Sequence, residues 1–251
     1  MRFRLPSIRR SSAPPQAAQR VYAIGDIHGR FDLLSRLILA IESDSAERGP
    51  AVTEIVVLGD FIDRGPGSAE VIAALAGLRE REGLVVLKGN HEAALVEAWH
   101  GDRTMLALWL DHGGDATLRS LGASNEEIDP ADQRLLLRNV RKHVSKSLVK
   151  WLASLPIQHR WGAYLFVHAG IRPGLPLAQQ SPQDMLWIRE EFTRSDADHG
   201  LIVVHGHTIS DQACIRRNRI GIDTGAYRTG RLTAIGLEAG AHWVVEASSD
   251  E

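Results

Sequence analysis

Apolar residues along this chain gather into short, nearly unbroken runs, and each run stops in a cluster of Asp, His, Asn, Arg and Gly. Five runs stand out: "VYAIGDIHG" from Val21, "EIVVLGDFIDRG" from Glu54, "GLVVLKGNHE" from Gly83, "AYLFVHAG" from Ala163 and "LIVVHGHT" from Leu201. Continuous apolar stretches of this length predict strands buried on both faces. After the first three the period changes. "RFDLLSRLILAIESD" sets Leu33, Leu34, Leu37, Ile38 and Ile41 at helical spacing. "SAEVIAALAGLRERE" follows a Pro-Gly pair, with Ser68 as its expected cap, and "HEAALVEAWH" reads as a short helix. Alternating strand, turn and helix predicts an α/β fold.

From about 99 to 160 the rhythm gives way to helical patterns. They predict a helical insertion over the open end of the sheet, with a loop around Gly122 to Pro130. After residue 215, "RIGIDTGAYRTGRLTAIGLEAGAHWVVEAS" is strand-like again, and its glycine-rich turns predict hairpins closing a second sheet. The expected organisation is a basic tail over 1–20 and one domain over 21–251.

Composition narrows the function little. Hydrophobic residues make up 44% and charged residues 24% of 251 positions, the balance of an ordinary globular chain. With a net charge of -2, no overall field favours nucleic acid as a main partner. No apolar run approaches the roughly 20 residues that span a bilayer. A single cysteine, Cys214, excludes an intrachain disulfide. It reads as an ordinary thiol, compatible with a reducing, cytoplasmic setting. Residues 1–20 carry Arg2, Arg4, Arg9, Arg10 and Arg20, no acid, and no apolar core of a secretory leader. They predict a disordered tail, with at most weak contacts to nucleic acid or an acidic surface.

The strand ends carry the chemistry: Asp26, His28, Asp60, Asp63, Arg64, Asn90, His91, His168 and His207. Ligands bind at the carboxyl ends of strands in open α/β sheets, so these distant positions are expected to converge. Two aspartates and an arginine on one tight turn at 60–64 need an offset for their crowded charge, a metal ion or a bound anion. Carboxylate, imidazole and carboxamide donors together suit manganese, iron, zinc or nickel better than magnesium or calcium.

In order, "GDIHG", "GDFIDRG", "GNHE", "VHAG" and "GHT" resemble the calcineurin-like metallophosphoesterases, and more closely the phosphoprotein phosphatases, including their small bacterial members. The resemblance runs from about Val21 to Glu238. It implies a two-sheet β-sandwich core flanked by helices, and two divalent ions, manganese first among them. By position, Asp26 and His28 match ligands of the first ion. Asp60 matches the bridging carboxylate, and Asn90, His168 and His207 match ligands of the second ion. His91 matches a proton donor and Asp63 its carboxylate partner. Arg64 and, in "MLWIREEF", Arg189 match a phosphate clamp, which with Asn90 makes up the implied substrate-binding set. His205 is expected to pack rather than to bind, and Tyr227 to approach the site. The chemistry implied is attack on phosphorus by a hydroxide held between the ions, with no phosphoenzyme.

A phosphorylated protein or small phosphoester is the implied partner, and a serine/threonine phosphatase the leading reading. The rival is the symmetrical diadenosine tetraphosphatase branch, which shares the fold and a stretch like "RGPGS". That branch commonly has alanine at Asp63, aspartate at Glu92 and tryptophan at Thr208, and this chain follows the protein phosphatases at all three. A noncatalytic scaffold that recognises phosphorylated partners would be signalled by loss of a ligand, of His91 or of Arg64. None is lost.

Overall fold

The computed structural model describes residues 18–129 and 132–249. Two five-stranded sheets lie at its centre. The first half of the chain alternates β1 (Ala18–Ile24), α1 (Phe31–Glu47), β2 (Ala51–Val57), α2 (Ser68–Gly77), β3 (Leu84–Val86) and α3 (Asn90–His100). The helical insertion follows as α4 (Arg103–Trp109), a wide turn at Leu110–Gly114, α5 (Asp115–Ser120), α6 (Asn125–Ile128), α7 (Gln133–His143) and α8 (Lys146–Ser154). Then come β4 (Gln158–Trp161), β5 (Tyr164–Val167), α9 (Pro182–Trp187), α10 (Glu190–Thr193) and β6 (Ile202–His205). The chain finishes with β7 (Cys214–Ile215), β8 (Arg219–Gly221), α11 (Ala226–Thr229), β9 (Arg231–Glu238) and β10 (Ala241–Ser248).

One sheet runs β10-β9-β1-β2-β3 and the other β4-β5-β6-β8-β7. In each, three neighbouring strands are parallel: β1, β2 and β3, and β5, β6 and β8. Antiparallel strands flank them, with β9 paired to β1 so that Ile24 faces Ala234. The sheets meet through Val21, Ala23, Val56, Leu58, Phe166, Val204 and Ile220. The alternate residues Tyr22, Ile24, Ile55 and Val57 face outward and pack with Leu33, Leu37 and Ile41 of α1. Burial on both faces is why these strands read as unbroken apolar runs. A third cluster puts Leu165, Val167 and Val203 against Met185, Ile188 and Phe192 of the α9–α10 segment.

Several boundaries differ from expectation, each for a local reason. β1 begins at Ala18, and Arg20 belongs to it rather than to a tail. Its guanidinium is buried, bound to Glu238 at 2.7 Å and to the Ser45 carbonyl at 2.9 Å. Residues 1–17 lie outside the described residues. Ser68 is the first residue of α2, not its cap, and its hydroxyl accepts from the Asp63 amide instead. α2 ends at Gly77, short of the polar "RERE". A short helix, α6, occupies the expected loop at 122–130. The insertion stops at Ser154, and β4 follows within the stretch expected to be helical. Of the C-terminal hairpins, only β7–β8 joins the second sheet; β9–β10 completes the first. No helix among the described residues is long and apolar enough to cross a membrane.

Candidate active site

The six parallel strands all point their carboxyl ends at one place. The first sheet delivers Asp26 and His28 after β1, Asp60 after β2, and Asn90 and His91 after β3. The second delivers His168 after β5, His207 after β6 and Asp223 after β8. All eight are buried. The turns after β1 and β2 are zipped together, with the amides of Ile27 and His28 both donating to the Asp60 carbonyl at 3.1 and 2.9 Å. The sheets are tied across the site by His168 Nδ1–H, which donates to the Leu58 carbonyl at 3.0 Å.

Backbone strain concentrates here. His28, Asp60, Asp63, Arg64 and His207 all have positive φ, and the only other described non-glycine residue that does is Ala239, in the β9–β10 turn. Strain of this kind, of order 1–3 kcal/mol each, persists only where the surroundings over-determine it. Glu92 is one such determinant. Its carboxylate is fully buried and takes four backbone amides: Gly89 at 2.7 Å and Asp60 at 2.9 Å on Oε2, Phe61 at 2.9 Å and Ile62 at 3.3 Å on Oε1. Burial, joined by the charge of Asp60, pushes Glu92 up to about 7, against the pull of those amides.

Two groups of three converge on a shared carboxylate: His28, Asp60 and His91, and Asp60, His168 and His207, with ligand atoms within 4.8 Å of one another in each group. Asp60 Oδ2 lies 3.7 Å from His28 Nε2, 3.8 Å from His91 Nε2 and 3.4 Å from His168 Nε2. The Nδ1 atoms of His28 and His168 are spent on the carbonyls of Ile62 and Leu58, which turns both Nε2 atoms inward. Asn90 Oδ1 sits 2.8 Å from His168 Nε2. Asp26 stands beside these groups and accepts the His207 amide at 3.1 Å. A Cβ at Gly206 would collide with that carboxylate, so any larger residue there would have to displace it.

The electrostatics call for cations. Burial drives the Asp26 carboxyl well above the ordinary range, and Asp223 and Asp60 add to the push. Burial also lifts Asp223 to about 6. For Asp60 burial acts upward too, but His168, His91 and His28 outweigh it and hold the group well below the usual carboxylate range. His207, driven down to about 2 mainly by burial, keeps a buried Nε2 with no hydrogen-bond partner. Three crowded carboxylates and inward-facing imidazole nitrogens fit divalent ions, which would supply the missing positive charge. Asp26, His28, Asp60, Asn90, His168 and His207 are placed to hold them.

Beside this centre His91 Nδ1 lies 2.7 Å from Asp63 Oδ2, and its Nε2 lies 3.1 Å from Arg64 Nη2. Asp63 also receives Trp109 Nε1–H at 2.8 Å and the Thr117 hydroxyl at 2.6 Å. Arg64 rests over the Tyr227 ring, 4.5 Å from its centroid, and Tyr227 meets the His28 ring edge-on at 5.4 Å. Arg189 reaches the site's edge, its Nη1 3.4 Å from the His207 carbonyl. His205 points away, its ring edge against Phe192. The structure thus gathers all ten sequence-expected residues. It adds Asp223, Trp109 and Thr117, and it gives Glu92 a structural task. Asp223 lay within a glycine-rich hairpin pattern, where "DTG" reads as turn chemistry.

A two-sheet sandwich with a histidine–carboxylate centre at its parallel strand ends defines a metal-dependent class of hydrolase. The calcineurin-like phosphoesterase family model matches residues 19–233, and the chain belongs to that family. It is 27% identical to serine/threonine-protein phosphatase 2 of Escherichia coli over 242 residues, which cover 91% of this chain and 98% of that one. It is 30% identical to the symmetrical bis(5'-nucleosyl)-tetraphosphatase of Methylococcus capsulatus, over 61% of this chain and 44% of the relative. Among solved structures, one described provisionally as a diadenosine tetraphosphatase shares the fold, with a TM-score of 0.62, 21% identity, and coverage of 94% of this chain and 100% of that one.

Proposed function

We propose that this protein hydrolyses phosphomonoesters, with phosphoserine and phosphothreonine in proteins as its substrates. The observation that carries this reading is the buried Asp63–His91 pair, 2.7 Å apart, at the rim of the candidate metal centre. Two divalent ions, manganese in the first instance, would supply Lewis acidity at phosphoryl oxygens and a nucleophile at neutral pH. Asp26, His28 and Asp60 would hold one ion, and Asp60, Asn90, His168 and His207 the other. Arg64 and Arg189 neutralise the remaining phosphoryl oxygens, Arg64 through a forked guanidinium already at the site. His91 gives its Nε2 proton to the departing oxygen, an effect typically worth about 10²–10⁴-fold. Asp63 fixes the Nδ1–H and so keeps the other nitrogen aimed at the substrate. In the free protein Arg64 Nη2 donates to that nitrogen; its turn toward a phosphoryl oxygen leaves Nε2 free to carry the proton.

Symmetrical cleavage of diadenosine tetraphosphate is the second reading, supported by the relatives of that name. Its leaving group is a nucleoside diphosphate, a weak base that departs without an acid, so it gives Asp63 and His91 less to do. The test compares kcat/KM on a panel of phosphoserine and phosphothreonine peptides with kcat/KM on diadenosine tetraphosphate, using manganese-loaded protein. Preference for the peptides supports the proposal. Preference for the dinucleotide replaces it, and bound metal without turnover of either substrate points to a phosphate-binding scaffold.

A further inference from the structure

The helical insertion does more than cover the sheet. The turn at 59–65 and the start of α2 are both fastened to it. The Arg64 amide donates to the Gly113 carbonyl at 3.0 Å, and the Ala69 amide donates to Ser120 Oγ at 3.0 Å. Next to the first of these ties is Asp63, which is fully buried. Trp109 Nε1–H is directed at Oδ2, the same oxygen that faces His91, and the Thr117 hydroxyl at Oδ1. Ser68 Oγ stands 3.0 Å behind the Thr117 hydroxyl. The Asp63 amide donates to both hydroxyls, to Ser68 Oγ at 3.0 Å and to Thr117 Oγ1 at 2.9 Å, so Thr117 meets both the backbone and the carboxylate of Asp63. The wide turn at Leu110–Gly114 makes this possible. It kinks the chain through Gly113 at φ 99°, so that α4 and α5 present Trp109 and Thr117 to one carboxylate.

We infer that Trp109 and Thr117 are positioning residues of the proton-donating unit, and that the insertion supplies them to serve substrates whose leaving oxygen departs as an alkoxide. This rests on the role proposed above for His91. A carboxylate holding a single histidine could rotate; two further donors pin both oxygens, so the imidazole is held in one plane and one tautomer. In the step concerned, the bond from phosphorus to the leaving oxygen breaks and its electron pair stays on that oxygen. The Nε2 proton of His91 transfers to it, giving the alcohol. A bond from a water oxygen to phosphorus forms, that water gives up one proton to solvent, and a proton from solvent restores His91. An alkoxide leaving group needs that proton far more than a nitrophenolate does. Misplacing the donor therefore selects against alkyl phosphates and not against activated aryl phosphates.

The experiment measures kcat and KM for a phosphoserine peptide and for p-nitrophenyl phosphate in manganese-loaded wild type, Trp109→Phe, Thr117→Val, Thr117→Ser and His91→Asn. Trp109→Phe and Thr117→Val are expected to lower kcat for the peptide about ten-fold, while kcat for the aryl ester falls less than about two-fold and neither KM moves. Thr117→Ser keeps the hydroxyl and is expected to recover the peptide activity lost in Thr117→Val. Equal losses on both substrates, or no loss, overturn the inference. If Trp109→Phe unfolds, the Thr117 pair decides alone. His91→Asn separates the two levels. Without leaving-group selectivity in that variant the acid role itself falls; with it, a flat response in the Thr117 variants sinks only the positioning role.

Discussion

A buried histidine that points away from the site still shapes how stability depends on pH. His205 is buried against Phe192, and its Nδ1 donates to the Gly206 carbonyl at 3.0 Å. Burial lowers it from the ordinary 6.5 to about 4, and the Arg219 and His168 charges act in the same direction. Between those values the unfolded chain takes up a proton that the folded chain refuses. His205 therefore costs no stability above about pH 6.5, and stability falls as pH drops toward 4, by about 3 kcal/mol in all. His205→Gln should flatten this part of the profile: thermal melts of metal-free protein between pH 7 and 4 should show a smaller drop for the variant than for wild type. Asp60 is the residue on which both ligand groups depend, and Asp60→Asn should reduce phosphoesterase activity by at least about 10³-fold with an unchanged circular dichroism spectrum. Near-normal turnover would end the bridging assignment.

At the scale of elements, two turns and one helix are held by the single carboxylate of Glu92. Replacing it with glutamine keeps the size and puts an N–H₂ where two amides now donate. Each buried amide left unpaired costs about 1–3 kcal/mol. Glu92→Gln is therefore expected to lose about 3 kcal/mol in urea unfolding. Its melting temperature should fall by about 6–12 °C, at roughly 2–4 °C per kcal/mol for a chain of this size. A melt within about 1 °C of wild type would mean that the turns hold their shape without the clamp. This clamp also marks the limit of what the sequence makes legible. The five central strands and their ligand ends are readable because two-faced burial imposes apolar runs and the ligands sit at fixed offsets after them. β4, "QHRW", has no such run, because it is an edge strand with alternate residues exposed. Trp109 and Thr117 sit in an ordinary amphipathic helical pattern. A hydrogen bond spanning 46 or 54 residues leaves no period behind.

At the scale of the whole molecule, both sheets contribute to the candidate metal centre, so binding should be felt as stability. An ion that binds the folded chain alone adds about 2.7 kcal/mol when present at 100 times its Kd. Differential scanning fluorimetry of chelator-treated protein should show the melting temperature rising by about 5–10 °C on addition of manganese, with little rise in Asp60→Asn. An equal rise in both proteins would place the stabilising ion elsewhere.

The pairing of β1 with β9 also sets a timetable. Ile24 leaves the ribosome early, and its partner Ala234 is made about 210 residues later. At roughly 5–20 residues per second, that delay is on the order of 10–40 s. Throughout it, one edge of the innermost strand has no native neighbour and offers open amides and carbonyls to any other extended chain. Newborn copies are therefore at their most vulnerable before the last hairpin appears. A stop that removes β9 and β10 would prolong that condition indefinitely, leaving every residue of the proposed metal centre synthesised while the first sheet lacks two of its five strands.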